Sequence, residues 1–323
     1  MSTRYWAAVL WIAAFASGVP MNADASQESP GSCLLFPYYD TTGSTISFHS
    51  IQNVGSQTVA VRLVFVNGVT CEPKDAYIDL TPMDTFTFCA HGVLHGWETG
   101  FLYAYVVQKK GHAHSEVDYD FLVGQEFVLG KWGHEDVYFS LNAVSFQGLK
   151  VVQDGKIHLD GNEYTLAPKS LHFPRFFGQE ALINSRLILI NLTGGKYFQA
   201  AVRYYIYNDN EIVFTSTGLI DCFEVIPLTS VSPAFQKSFL LSTNHALLEP
   251  WPYYNFLETG AIKIFAEYAY NAGGLTIPDA SMYAVLLENF GNLGYGISDL
   301  PFQIDDGKTH YHGMLWSTDP SGT

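Results

Sequence analysis

The stretch Ala60–Gly68, AVRLVFVNG, returns in closely similar form at Ala201–Asp209 as AVRYYIYND, and this recurrence decides how the chain is read. The runs Leu63–Val66 and Tyr204–Tyr207 are continuously apolar, with β-branched and aromatic residues prominent. Such a run suits a central strand with neighbours on both sides. Each copy then ends in Asn67-Gly68 or Asn208-Asp209, residue types that tolerate the positive φ of a tight turn.

Working outward, the similarity continues in order. LFPYYD at Leu35–Asp40 is answered by HFPRFF at His172–Phe177, and apolar strands follow at Thr45–Ile51 and Arg186–Leu192. Leu80-Thr81-Pro82 matches Pro227-Leu228-Thr229, and WETGFLYAYVV at Trp97–Val107 matches LETGAIKIFAEY at Leu257–Tyr268. The offset grows from 137 at Pro37 and Pro174, through 141 at Arg62 and Arg203, to 160 at Glu98 and Glu258. Ordered landmarks drifting by small insertions indicate two copies of one domain.

Within each copy the strands are short and separated by Gly, Pro and Asn. Thr45–His49 and Asp84–Phe88 alternate with period two, so each buries one face and wets the other. The expected fold is therefore all-β: two tandem antiparallel β-sandwich domains, Ig-like or jelly-roll-like, related by internal duplication. Expected boundaries are a signal peptide over 1–25, domain one over 26–148, a connector over 149–169 and domain two over 170–323. Asp154-Gly155 and Asp160-Gly161 mark the connector as a small β-meander. Helix is scarce; Ser232-Pro233 supplies a cap and first turn for a short one running to about Leu241.

Several short blocks also carry a resemblance: Cys33-Leu34-Leu35-Phe36-Pro37 followed by an aspartate, Val66–Cys71, Leu80–Thr85 and Gly100–Tyr105. In this order they resemble a group of uncharacterised secreted bacterial β-rich proteins, chiefly over the first copy. The resemblance implies export and a β-rich fold and assigns no functional residues.

The N-terminus reads as an address. Tyr5–Val19 is an apolar run too short to span a bilayer, and Ala23-Asp24-Ala25 has the small-x-small pattern of a signal-peptidase site. No later segment has the length of a transmembrane helix. The expected location is secreted, cell-surface or periplasmic. Sixteen basic against thirty-one acidic residues give a net charge of −15, the wrong sign for a phosphate backbone, so nucleic acid is not an expected partner. Four cysteines in an exported chain suggest two disulfides, and of the three pairings the expected one is Cys71 with Cys89, leaving Cys33 with Cys222, with free buried thiols as the alternative.

No nucleophile elbow, phosphate loop, zinc-protease motif or EF-hand is present, and no cofactor is implied. His112 and His114, His310 and His312, and His91 and His95 form local histidine pairs, but none alone supplies the three or four ligands of a metal site. Glu98 and Glu258 are the carboxylates singled out by the repeat, yet their recurrence suits a turn or strand entry better than catalysis. Arg62 and Arg203 suit an ion pair, with those glutamates as candidate partners. Tyr38 and Tyr39 suit the core. The proline-stiffened cluster Trp251, Tyr253, Tyr254 and Phe256 has no counterpart in the first copy. Rings of this kind either stack on a ligand or plug the end of a sandwich.

The expected function is a non-catalytic structural or binding protein. Its partner would be a polysaccharide, an envelope or extracellular protein, or further copies of itself. The alternatives are an exported hydrolase, using histidine-bound metal or a carboxylate pair, and an outer-membrane barrel, which the absence of a terminal aromatic strand disfavours.

Overall fold

The computed structural model describes residues 29–94, 96, 99–110, 113–116, 118–152, 154, 156–181, 183–243, 258–303 and 313–316. The first repeat supplies β1 (Cys33–Asp40), β2 (Ile46–Asn53), β3 (Val59–Asn67), β4 (Pro73–Leu80), β5 (Thr85–Cys89), β6 (Thr99–Lys110), β7 (Ala113–Glu116), β8 (Leu122–Trp132), β9 (Glu135–Asn142) and β10 (Val144–Phe146). After the connector strand β11 (Lys156–Leu159), the second repeat begins with β12 (Ser170–Phe177), β13 (Arg186–Asn191), β14 (Phe198–Asn208), β15 (Val213–Ile220) and β16 (Phe223–Pro227). It continues with β17 (Thr259–Asn271), β18 (Thr276–Pro278), β19 (Met282–Asn289), β20 (Tyr295–Asp299) and β21 (Phe302–Gln303), and the last strand is β22 (Gly313–Trp316).

The two repeats have one topology. In the first, a sheet ordered β10-β1-β6-β3-β4 carries β7 on β6; in the second, β21-β12-β17-β14-β15 carries β18 on β17. The facing sheets are β9-β8-β2-β5 and β20-β19-β13-β16, joined edge to edge through a parallel β9–β20 contact into one eight-stranded sheet. Local detail repeats too. Both Phe-Pro strands are bulged against their partner, between Phe36 and Tyr39 and between Phe173 and Phe176. Proline lacks the N–H a ladder requires, so pairing breaks there. Asn53 and Asn191 each accept a bond from the amide two residues on, at Gly55 and Thr193.

The repeats differ in what covers them. Leu34, Phe36, Val61, Leu63 and Phe65 face β2, β5 and β8 across the first sandwich core, whose members include Ile51 and Phe88. The opposite face of the same sheet, with Leu35, Val64, Val66, Tyr103 and Tyr105, packs on Ile188, Ile190, Tyr283 and Val285 of the second repeat. β1 is consequently buried at every residue. The second sandwich core has Leu187, Leu189, Met282, Ala284 and Leu286 facing Phe173, Val202 and Ile264. Its outer sheet keeps one solvent-facing side, so β14 alternates buried and half-buried residues where β3 is buried almost throughout. The apolar runs that look alike in sequence thus have different surroundings.

The expected cysteine pairing is wrong. Cys71 is bonded to Cys222, and Cys33 and Cys89 are free thiols. Cys71 sits in the β3–β4 turn and Cys89 at the end of β5 in the facing sheet, so nearness in sequence does not bring them together. Cys33 lies inside the core on β1, where burial raises its thiol pKa. The asparagine turns also work differently from expectation. Asn67 and Asn208 hold their turns by side-chain acceptance from downstream amides, while the positive φ falls on Cys71 and Glu211. Gly68 is there for clearance: a Cβ would lie 2.4 Å from the Phe223 ring of the other repeat.

The connector folds back through a Gly148–Tyr164 bridge, with Gly161 at positive φ, and its strand β11 pairs with β22. Ser232 caps a 3₁₀ turn at Pro233–Phe235 by accepting from the Ala234 amide, and a helix follows over Lys237–Thr243. No helix among the described residues is long and apolar enough to cross a membrane.

Candidate ligand groove

The duplication exposes a face that its counterpart hides. Register equates Ser50 with Ile188 and Gln52 with Ile190, since Ser50 pairs with Thr87 and Gln125 as Ile188 pairs with Val225 and Val285. Gln52 likewise pairs with Thr85 and Val123 where Ile190 pairs with Phe223 and Tyr283. The second repeat therefore presents Ile, Val, Phe and Tyr to an internal interface. The first presents Ser, Gln and Thr to solvent at equivalent positions.

A groove of about 360 Å³ crosses this polar face. Ser50 and Gln52 of β2, Thr85 of β5, Val123 to Gln125 of β8 and Asn142 of β9 form its floor, and Ser29 and Ser145 close one side. Among the described residues no charged side chain lines it. Ser50 and Thr87 share a 2.8 Å hydroxyl contact, and the Gln125 amide donates to Ser140 Oγ at 3.4 Å. The side chains of Gln52, Asn142 and Thr85 make no hydrogen bond among the described residues and remain available. Strand alternation carries the same face on into an apolar strip, with Phe48 beside exposed Ile46, Phe127, Leu129 and Tyr138.

Beneath the floor lies a buried polar pair. His49 and Glu126 point inward from paired positions of β2 and β8, their closest atoms 4.0 Å apart, too far for a direct hydrogen bond. His49 Nε2 lies 3.2 Å from the Tyr38 carbonyl, and the Tyr38 amide donates to Glu126 Oε2 at 3.3 Å. These contacts hold the backbone that the Pro37 bulge leaves unpaired. Burial pushes the imidazole down to about 4, so it is neutral in the fold near neutral pH, and burial raises the carboxyl well above its ordinary range. Leu187 and Leu286 occupy the equivalent places in the second repeat.

Two further clefts are present. One of about 960 Å³ has Asp79, Asp118 and Asp120 in its wall, with Tyr119 and Phe121. Burial, and secondarily the charge of Asp120, raises the Asp118 carboxyl pKa. Asp120 accepts from Ser32 Oγ and the Gly148 amide, which fixes its position. The other, about 650 Å³, lies by the Lys237–Glu180 pair of the second repeat.

The residues expected from sequence are dispersed. Trp251, Tyr253, Tyr254 and Phe256, together with His95, Glu98, His112, His310 and His312, lie outside the described residues. His114 is placed on β7 opposite Lys109, and His91 is exposed on a short helix over Ala90–Val93. Among the described residues no group of three or more His, Cys, Asp or Glu side chains converges as a metal site. Glu258 stands before β17, its carboxyl raised by partial burial and by Asp209. Arg62 bonds Asp75 and Tyr105, and Arg203 bonds Glu267 at 2.7 Å; Glu98, the expected partner of Arg62, lies outside the described residues. Tyr38 and Tyr39 are core, as expected.

Sequence reasoning missed Ser50, Gln52, Gln125 and Asn142 because hydroxyls and amides on a wet strand face carry no motif. The signal was a difference between copies, Ser and Gln where the second has Ile.

No family model matches the chain, and no curated protein matches it. Among solved structures, Thermotoga maritima 1070 aligns at 14% identity with a TM-score of 0.30, covering 37% of this chain and 98% of that one.

Proposed function

We propose that the chain is an exported, non-catalytic binding protein of the cell surface or extracellular space, engaging a polysaccharide or an envelope protein through the outer face of the first repeat. The observation that supports this is the unequal fate of equivalent faces. One is apolar and internal; the other is polar, grooved and open, and among the described residues the Gln52, Asn142 and Thr85 side chains make no hydrogen bond. The Cys71–Cys222 bond suits an oxidising compartment, and the apolar N-terminal run with its small-x-small end is the basis for export.

The test is retention of purified protein on polysaccharides and capture of envelope proteins, comparing wild type with a Ser50→Glu/Gln125→Glu variant. Loss of retention with an unchanged thermal transition supports the reading. Retention that survives in this variant, but is lost with Trp251→Ala/Tyr254→Ala, moves the site to that loop.

A second reading rests on the aspartate-lined cleft. Asp118 with its raised carboxyl pKa, beside Asp120, has the raised-acid and anchored-carboxylate pattern of acid–base glycoside hydrolysis. Release of reducing ends that disappears in Asp118→Asn would establish it.

A further inference from the structure

We infer that the groove of the first repeat takes an uncharged pyranose saccharide, with sugar hydroxyls on Gln52, Gln125 and Asn142 and an apolar sugar face against Phe48 and Phe127. This rests on the preceding reading and names the ligand class for the same site.

Three observations carry it. Among the described residues the groove has no charge of either sign in its lining, although the chain carries −15 overall. Recognition of a uronate, phosphate or sulfate calls for arginine, lysine or a cluster of amides at a helix end, and the described lining offers none of these. A neutral ligand needs no counter-charge.

Next, the free groups have the right polarity for hydroxyls. A side-chain amide both donates and accepts, and a sugar hydroxyl does the same. Gln52 and Asn142 make no bond within the described residues, so a ligand that engages them disrupts no existing contact. They are also set on strands rather than on a loop, in a sheet whose register fixes their spacing.

Finally, the polar floor runs into apolar surface along the same strands. Phe48 and Phe127 are directly paired, one position further along each strand-face from Ser50 and Gln125. A pyranose presents hydroxyls at its rim and C–H groups on its face, and so matches a surface that is amide at one end and aromatic at the other. The volume, about 360 Å³, lies within the roughly 300–1,000 Å³ range of small-ligand clefts. A protein partner calls for an apolar centre, and here the apolar strip lies to one side of the polar groove rather than in its lining.

The experiment is calorimetric titration of the full mature chain with neutral gluco-, manno- and xylo-oligosaccharides and, in parallel, with oligogalacturonate and heparin. The expected result is binding of at least one neutral series, with affinity unchanged between low and high salt because no charge pair is formed. Gln52→Ala and Asn142→Ala, both surface changes, should each weaken it about tenfold with unaltered thermal unfolding, and Phe127→Ala should do the same. Binding of only the acidic oligosaccharides overturns the inference, as does a steep salt dependence or indifference to both amide substitutions. If no saccharide binds while an envelope protein is captured through the groove, the inference fails and the broader binding reading stands. If neither is held, both fail.

Discussion

Arg62 and Arg203 occupy equivalent positions on equivalent strands, yet one is buried and the other is not. Arg62 pairs with Tyr105 across β3 and β6 as Arg203 pairs with Phe265 across β14 and β17. The Arg62 side chain is 4% exposed and that of Arg203 is 41%. The second repeat covers the sheet face that carries Arg62, and Arg203 lies on the face left uncovered. Arg62→Ala leaves Asp75 and Tyr105 without their cation and should cost about 3 kcal/mol, whereas Arg203→Ala removes a half-exposed pair and should cost less than about 1 kcal/mol. Urea denaturation of the two variants checks the asymmetry; equal losses would mean the two faces have the same surroundings.

The Cys71–Cys222 bond closes a loop of 151 residues. In the chain-entropy account a crosslink over that length restricts the unfolded state by about 5 kcal/mol. Cys71→Ser, or reduction of the wild type, should lower the denaturation midpoint accordingly. Cys89→Ser should leave it almost unchanged. A mass map of the oxidised protein should give one crosslinked peptide pair, containing Cys71 and Cys222.

His49 gives stability an acid limb. Its folded pKa, about 4, lies below the ordinary 6.5, so the unfolded chain binds a proton that the native state refuses. The contribution is complete above pH 6.5 and is lost as pH falls toward 4, with a full amplitude of about 3 kcal/mol. Glu126 acts oppositely: its raised carboxyl loses its contribution as pH climbs from 4.5 toward the folded value. Replacing both by leucine, the pair that Leu187 and Leu286 already form, should flatten both limbs in pH-resolved urea titrations. Stability at neutral pH should be held or gained.

The repeated Glu-Thr-Gly blocks keep their glycine for steric reasons. A Cβ on Gly100 would lie 2.0 Å from the Val66 carbonyl oxygen, and one on Gly260 would lie 2.2 Å from that of Tyr207. Neither carbonyl can move without breaking its sheet. Gly100→Ala and Gly260→Ala should each destabilise by about 3 kcal/mol, seen as matched falls in thermal midpoint. Tolerance of either would show that the strands approach less closely than described.

Much of this architecture was readable from the chain because sheets leave periodic traces. The offsets read at the prolines, the arginines and the Glu-Thr-Gly blocks reappear as register: Phe36 on Leu102 answers Phe173 on Ile262, and Arg62 on Tyr105 answers Arg203 on Phe265. What was hidden is how the repeats meet. Val64 and Tyr205 look equally suited to a central strand, and only the arrangement of the second repeat buries the outward side of one. The disulfide was missed for the same reason, since its two halves belong to different repeats. The groove was missed because Ser50 and Gln52 become informative only beside Ile188 and Ile190.

The covering of the first repeat's central sheet also constrains the order of assembly. A nascent chain delivers β1, β3 and β6 before β13 and β19 exist, so Leu35, Val64 and Tyr103 must wait, uncovered, for the latter half of the molecule. The N-terminal half expressed by itself would carry that sticky sheet permanently. The cover for that sheet comes only with β13 and β19, and the Cys71–Cys222 bond ties the two repeats together.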